Sequence, residues 1–519
     1  MKKFYLFLIF FSCALCSFSQ FSRYIIQLTD KAGTPHSLSN ASTYLSSKSI
    51  ARRTAHNIAI DSTDLPLSPA YLAALAAVPN VTIYNKSKWL NQVLIRTNDP
   101  AALAMINNLS FVKSSKKIAN NSIAPVRNSK LNETIKVLDK PVVFGTTNTA
   151  GKQDIQALSY GSNFGQIHIH DGEFLHNKGF TGKGIEMAMM DAGFYGYLTN
   201  PAFDSIRLQG RILGTWDYVA NEASVNEDHY HGSICFSTIS ANTPGLMIGT
   251  APHAKFWLFR TEDDASETPV EEQNWIAAAE FADSCGAQIF TTSLGYNEFD
   301  DPSLSYSHAQ RDGNTSMITR AADLAAKKGI LVMNSAGNYG AYGNDYKYVL
   351  VPADGDSVVA VGAVDVNGNL GSFSSRGPNG AGKIKPNIVS VGVETVFAMS
   401  DGTVATTSGT SLSNPNIAGL MACLWQAFPE RSNMQILDAV QKSAHKYSNP
   451  DPDFGYGIPN FRKAYNILMA QSFEHSFGFN NSLLSLNWKM KADTSVSFII
   501  ERKTPGATDF TVVDSMRYN

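Results

Sequence analysis

Apolar and polar positions along the chain change their period several times. Residues 4–15 form an apolar run, with Lys2 and Lys3 before it and small residues at Ser17 and Ser19 after it. Residues 24–28 and 81–97 have the alternation of strands, while 69–77 and 100–109 have helical spacing, so 20–140 reads as a small α+β module. Periodicity then fades from about 117 to 160 into Asn, Ser, Thr and Lys, the composition of a linker. From Gly182 onward short apolar runs at 185–191, 255–260, 288–294, 330–335 and 358–366 predict buried strands. Between them 271–285 and 317–328 predict helices, and another runs on from His231. Strand and helix in alternation imply an α/β fold, a parallel sheet covered on both faces. Polar residues at the carboxyl ends of such strands, here Asp191 and Asn338, are where ligands bind. Beyond 470 alternation returns with a turn at Pro505 and Gly506, which predicts two or three strands of a β-sandwich.

The first apolar run is shorter than the ~20 residues a helix needs to cross a bilayer. With its basic start and small-residue end it reads as a signal peptide over 1–19, removed before Gln20, and so predicts a secreted, extracellular product. Cys13 and Cys16 lack the residues of a good lipobox, and no later segment reads as a membrane span. The 42 basic and 44 acidic residues nearly cancel and form no long run, so nothing recruits nucleic acid or an anionic membrane. Of the five cysteines, Cys235, Cys285 and Cys423 lie outside the signal; an odd count gives no disulfide framework. Each reads as a small buried hydrophobe, and a Cys235–Cys423 bridge requires their helices to pack together.

Chemistry gathers at three short segments. In GKGIEMAMMDAGF an apolar strand delivers Asp191 into a glycine-bearing turn, where a carboxylate can accept a proton from a histidine. In DHYHGSICFSTIS, His231 and Gly232 open a helix whose small residues permit close packing. In TTSGTSLSNPNIAGL, Gly409 and Thr410 deliver Ser411 to a helix N-terminus, with Pro415 expected near the first turn, where proline is tolerated. A serine hydroxyl is a poor nucleophile at neutral pH. It needs an adjacent base, and the base needs a third group to fix its tautomer and stabilise its charged form. Asp191, His231 and Ser411 fit those roles together. Taken singly, each also fits a plainer one: a turn carboxylate, a helix-terminal histidine, an N-cap serine.

The three segments, in this order, resemble the signatures of the subtilisin-like serine proteases, the subtilase family, and the resemblance extends over 161–470. Further segments carry it. GTAPHAKFWLFR from Gly249 resembles the turn and strand after the histidine helix, and VGAVDVNGNLGSFSSRGP from Val361 resembles the strand and loop before the serine. TTSLGYN from Thr291 is similar to the substrate-binding strand, implying that Ser293, Leu294 and Gly295 pair with the substrate backbone as an added β-strand. VMNSAGNYG places Asn338 where the family keeps its oxyanion asparagine. The resemblance implies a subtilisin-like sheet and a secreted serine endopeptidase that hydrolyses polypeptides through an acyl-enzyme, without a catalytic metal or any cofactor required for catalysis. It also implies structural calcium, although the sequence has no EF-hand-like loop. The 20–140 module resembles subtilase propeptides, which implies that it assists folding and inhibits its own peptidase domain, with the linker at 141–160 as the zone of maturation. Residues 471–519 resemble the opening of a fibronectin type III module.

Several positions depart from the family pattern: Asn387 for Asp, Ser390 and Val391 for Ala and Pro, Leu412, Ser413 and Asn414 for Met, Ala and Thr or Ser, Ser233 and Ile234 for Thr and His. They mark a divergent branch whose substrate preference does not carry over. Two rival readings compete with the enzyme. In IHIHDGEFLH, the alternation of His168, His170 and Asp171 is that of some zinc hydrolases, but a third and fourth ligand are not evident, and a segment packed on the domain's flank is the simpler reading. A catalytically silent secreted binding or adhesion protein on the same scaffold would lack Asp191, His231 or Ser411, and all of them are present.

Overall fold

The computed structural model describes residues 22–120, 134–138, 158–480, 483–489 and 497–517. The signal peptide read at 1–19 and most of the linker read at 141–160 lie outside the described residues.

The N-terminal module contains β1 (Ser22–Leu28), α1 (Ser47–Ala55), α2 (Pro69–Ala76), β2 (Thr82–Ser87), β3 (Gln92–Thr97), α3 (Pro100–Asn107) and β4 (Val112–Asn120). Its strands form an antiparallel sheet in the order β2-β3-β1-β4. Successive side chains of a strand point to opposite faces. Ile26, Val93 and Ile95 accordingly pack with Leu75, Ala102 and Ile106 of the helices. Ile25, Leu94 and Ile118 turn the other way and meet Val270 of the main domain. α2 and α3 each begin with proline, whose missing N–H costs nothing in a first turn, and Asp99 caps α3 by accepting from Ala101 N at 2.9 Å. The alternation-based reading missed α1 and β4, both rich in polar residues.

A short strand, β5 (Lys136–Val137), precedes α4 (Phe164–His168) and α5 (Glu173–Asn177). The main sheet is assembled from β6 (Glu186–Asp191), β7 (Ile212–Asp217), β10 (Lys255–Arg260), β11 (Ile289–Thr292), β12 (Leu331–Ser335), β13 (Val358–Val364) and β14 (Ile388–Val391). The helix α6 (Asp204–Leu208) leads into β7, and the ribbon of β8 (Asn242–Thr243) and β9 (Met247–Ile248) leads into β10. All pairings in the sheet are parallel and the order is β14-β13-β12-β11-β6-β10-β7. On one face lie α7 (His231–Ser240), α10 (Thr410–Ala427), α11 (Asn433–Ser443) and α12 (Phe461–Gln471), packed on Met187, Met189, Ile289, Leu331 and Met333. On the other lie α8 (Pro269–Cys285) and α9 (Met317–Lys327), packed on Ala188, Met190, Phe290 and Val332. The interleaved lists are the period of two expected of a sheet buried on both sides.

The chain runs from β6 outward to β7 and β10, then crosses to β11 on β6's other side. The crevice at this reversal, beyond the carboxyl ends of the strands, is the place an open parallel sheet offers to ligands. β6 ends on Asp191 and β11 runs into Ser293. Between β14 and α10 stands a three-stranded sheet, β15 (Thr395–Ala398), β16 (Val404–Thr407) and the earlier β5, in the order β15-β16-β5. The tail forms two separate hairpins, β17 (Glu474–Asn480) with β18 (Leu483–Lys489) and β19 (Ser497–Arg502) with β20 (Thr511–Arg517). Four strands stand where the alternation predicted two or three, and the expected turn at Pro505 and Gly506 joins the last pair.

The N-terminal module is held on the back of the main domain by buried charge. Asp283 of α8 accepts from Arg52 through Oδ1 and from Arg53 through Oδ2, the latter at 2.8 Å. Arg52 also donates to the backbone carbonyls of Ala287 and Lys328, and Arg53 reaches Asp64 at 2.7 Å, which in turn meets Lys328 Nζ at 2.9 Å. The β2–β3 turn adds a second grip: Glu280 accepts from the Ser87 hydroxyl and from the backbone N–H groups of Lys88 and Trp89 at 2.5, 2.8 and 2.9 Å.

Candidate active site

Asp191 closes β6 and His231 opens α7, and each is 1% exposed. Asp191 Oδ1 lies 2.6 Å from His231 Nδ1 and also accepts from Ala192 N at 2.8 Å. A carboxylate acceptor fixes the proton on Nδ1, which leaves Nε2 as the basic nitrogen. Burial pulls the His231 pKa down, but the charge of Asp191 and its hydrogen bond outweigh that, so the net shift is well upward. The close approach depends on Gly232: a Cβ there would fall 2.3 Å from Gly193 O and 3.0 Å from Asp191 Cβ. Arg260, at the end of β10, steadies the turn from behind by donating to Ala192 O at 3.2 Å while paired with Asp217 and Asp228.

Ser411 is the second residue of α10 and 4% exposed. Gly409 before it has an extended backbone, and a Cβ there would lie 2.8 Å from Ser411 Oγ and 3.6 Å from Asn338 Nδ2. The hydroxyl and the amide therefore face one common space, which only glycine leaves open. Asn338 is exposed, and its Oδ1 accepts from both the N–H and the hydroxyl of Thr410 at 2.9 Å each, which turns Nδ2 outward as a donor. The Thr410 hydroxyl also accepts from Gly337 N at 3.1 Å, so one side chain locks the asparagine loop to the serine turn.

Pro415 does not fall in the first turn, as expected from the sequence, but inside α10. Proline has no N–H to give the carbonyl four residues back, which is that of Ser411. That carbonyl instead accepts from the Ser293 hydroxyl at 2.7 Å and from the Cys235 thiol at 3.2 Å. The Ser411 turn is thereby tied to the strand end at β11 and to α7. Leu294 O accepts from Asn334 Nδ2 at 2.8 Å, and Gly295 follows before Tyr296 pairs with Val351 through both backbone groups.

The structure thus brings Asp191, His231, Ser411, Asn338 and the 293–295 segment to one crevice. Asn334 and Arg260 were not singled out from the sequence, and the fastening roles of Thr410 and Cys235 were not read there, since these contacts join segments far apart in the chain. Helices α7 and α10 do pack together, yet Cys235 and Cys423 are free thiols rather than a bridge. The rival histidines do not converge: exposed His168 pairs with Glu173, His170 is buried between Pro459 O and Ser390 Oγ, and Asp171 pairs with Arg462. Calcium takes hard oxygen donors such as those of Glu262, Glu267 and Glu271, which cluster within 4.8 Å at the start of α8. Both Glu271 oxygens accept backbone N–H groups and Glu262 accepts the Tyr296 hydroxyl, so the cluster is held in place by the protein's own donors.

A buried carboxylate–imidazole pair, a serine at a helix start and an outward amide at the rim of a parallel α/β sheet define the class of serine hydrolases. Residues 182–458 match the subtilase family, peptidase S8, and residues 23–135 match the peptidase S8 propeptide domain of Bacteroidota. The chain belongs to the subtilase family and is a serine-type endopeptidase preceded by a propeptide domain. It is 30% identical to subtilisin Savinase of Lederbergia lenta over 291 positions, covering 56% of this chain and 93% of that one. It is 29% identical to serine protease AprX of Bacillus subtilis (strain 168) over 339 positions, covering 56% of this chain and 68% of that protein. The expectation of a subtilisin-like fold and of a serine protease holds.

Proposed function

We propose that Asp191, His231 and Ser411 are the catalytic triad of this endopeptidase and Asn338 its oxyanion donor. His231 Nε2 takes the Ser411 proton as Oγ attacks the scissile carbonyl, and Asp191 stabilises the imidazolium that forms. Asn338 Nδ2 meets the charge that develops on the carbonyl oxygen, and water then releases the acyl-enzyme. Ser293, Leu294 and Gly295 hold the substrate backbone as an added strand. No step calls for a cofactor, and structural calcium stays an expectation of the family. The observation that carries the reading is the convergence of Ser411 Oγ and Asn338 Nδ2 on Gly409, beside a buried 2.6 Å Asp191–His231 pair.

In this reading 1–19 directs secretion, 20–140 is the inhibitory propeptide, 141–160 the linker, 161–470 the peptidase domain and 471–519 a β-rich appendage. The test is labelling of the signal-less protein by a fluorophosphonate probe, with chain mass followed over time. Labelling of a fragment lighter by the propeptide, and its loss in Ser411→Ala, is the expected result. A trimmed, folded wild type that stays unlabelled would overturn the assignment.

A further inference from the structure

β16 runs into Ser411 through only Ser408, Gly409 and Thr410. One of its edges pairs with β15, and the other is taken by Thr134–Leu138 in antiparallel sense. Val137 stands opposite Ala405 and Lys136 opposite Thr406. Leu138 N donates to Val404 O at 3.2 Å, and the Thr407 hydroxyl donates to Thr134 O at 2.9 Å. Ile135 and Leu138 lean on the core beside β15 and β16, while Lys136 and Val137 are exposed.

The antiparallel sense gives this pairing a meaning. Thr134 is the end nearest Ser411, and each later residue lies farther from it. A polypeptide cut at Ser411 has that polarity on its leaving-group side, where residues after the scissile bond move away from the nucleophile in chain order.

We propose that the edge of β16 is the docking strand for the leaving-group side of a polypeptide substrate, and that Thr134–Leu138 occupies it as a tethered competitor. The proposal rests on Ser411 being the nucleophile. Main-chain bonds make the edge tolerant of sequence, and the places of Ile135 and Leu138 favour aliphatic side chains three positions apart. Two paired residues, both exposed, make a weak strand, and its covalent tether raises its effective concentration. A substrate can displace such an occupant.

The test uses internally quenched peptides with identical residues before the cut and either one or six residues after it, assayed on the processed enzyme. The ratio of kcat/KM for the long peptide over the short one is read. Thr407→Val removes the hydroxyl and is expected to lower that ratio roughly 2- to 10-fold, the worth of one hydrogen bond. Ile135→Asp with Leu138→Asp loosens the occupant in the full chain, where that segment is still attached. Binding of a fluorescent six-residue downstream peptide to the full Ser411→Ala chain, tighter when the two aspartates are present, supports the same conclusion without turnover. A ratio that Thr407→Val leaves unmoved, or peptide binding that the aspartates do not change, makes Thr134–Leu138 a fixed structural strand and overturns the proposal. If Ser411→Ala retains turnover while the ratios still shift, the nucleophile assignment fails and the docking strand stands.

Discussion

Two buried aspartates, Asp283 and Asp191, face cations in different ways. Asp283 spends one oxygen on Arg52 and the other on Arg53, and those guanidinium groups are themselves held by Ala287 O, Lys328 O and Asp64. Asp191 spends Oδ1 on Ala192 N and His231, while its Oδ2 has no hydrogen-bond partner among the described residues. The first is saturated by charges that cannot titrate in the working range, since arginine stays protonated. The second faces an imidazole that gains and loses its charge. A carboxylate that only fastens one domain to another is fully engaged; one that serves a reaction is matched to a partner whose charge changes.

Breaking Asp191 should cost the most. Asp191→Asn is expected to lower kcat by about 10⁴-fold, the loss established for the same change in a chymotrypsin-type triad. A loss below tenfold would remove Asp191 from the mechanism. Asp283→Ala leaves two buried guanidinium groups short of a counter-charge, a loss of about 3–5 kcal/mol. We expect it in the urea midpoint of the full chain, with earlier escape of the N-terminal module and no change in kcat of the processed enzyme. Equal midpoints would show that the arginines find other partners. Asn338→Ala is expected to lower turnover by about 10²–10³ with little change in KM, a figure taken from subtilisin's own asparagine rather than derived for this chain.

The pH profile sharpens the contrast most gently. His231 must be neutral to accept the serine proton, and its pKa is shifted upward. Activity should therefore fall as pH drops, with an acid limb in kcat/KM above the ordinary histidine value of about 6.5. In Asp191→Asn the residual activity should show that limb at lower pH, because the neighbouring charge is gone. An unmoved limb would assign it to another group.

What the sequence disclosed, and what it hid, follows from how local each signal is. β6, β10, β12 and β13 were legible because each is an unbroken apolar run bounded by polar or glycine residues. β7 was missed because it is a half-buried edge strand, and β14 because it has only four residues between Asn387 and Gly392. Asp191, His231, Ser411 and Asn338, the residues of the proposed site, were picked out by motifs, but their fastenings were not. Arg52 meets Asp283 from 231 positions away and looks like surface charge in α1. The departures from the family pattern acquire a reason in three dimensions. Asn414 Nδ2 donates to Thr291 Oγ1 and Thr292 O at 3.0 Å each, binding α10 to β11. Ser390 joins His170 to Asn416, and Asn387 Oδ1 accepts from Ala360 N and from buried Lys385. Asn387, Ser390 and Asn414 thus each make hydrogen bonds inside the domain.

Pro415 has a mechanical consequence. A helix passes tension along its axis through its ladder of hydrogen bonds, and α10 lacks the rung at Ser411. The serine turn is braced sideways instead, by Ser293 and Cys235. Strain along the body of α10 is therefore not relayed to the serine turn through that rung, and the turn keeps its register to its two crossbeams.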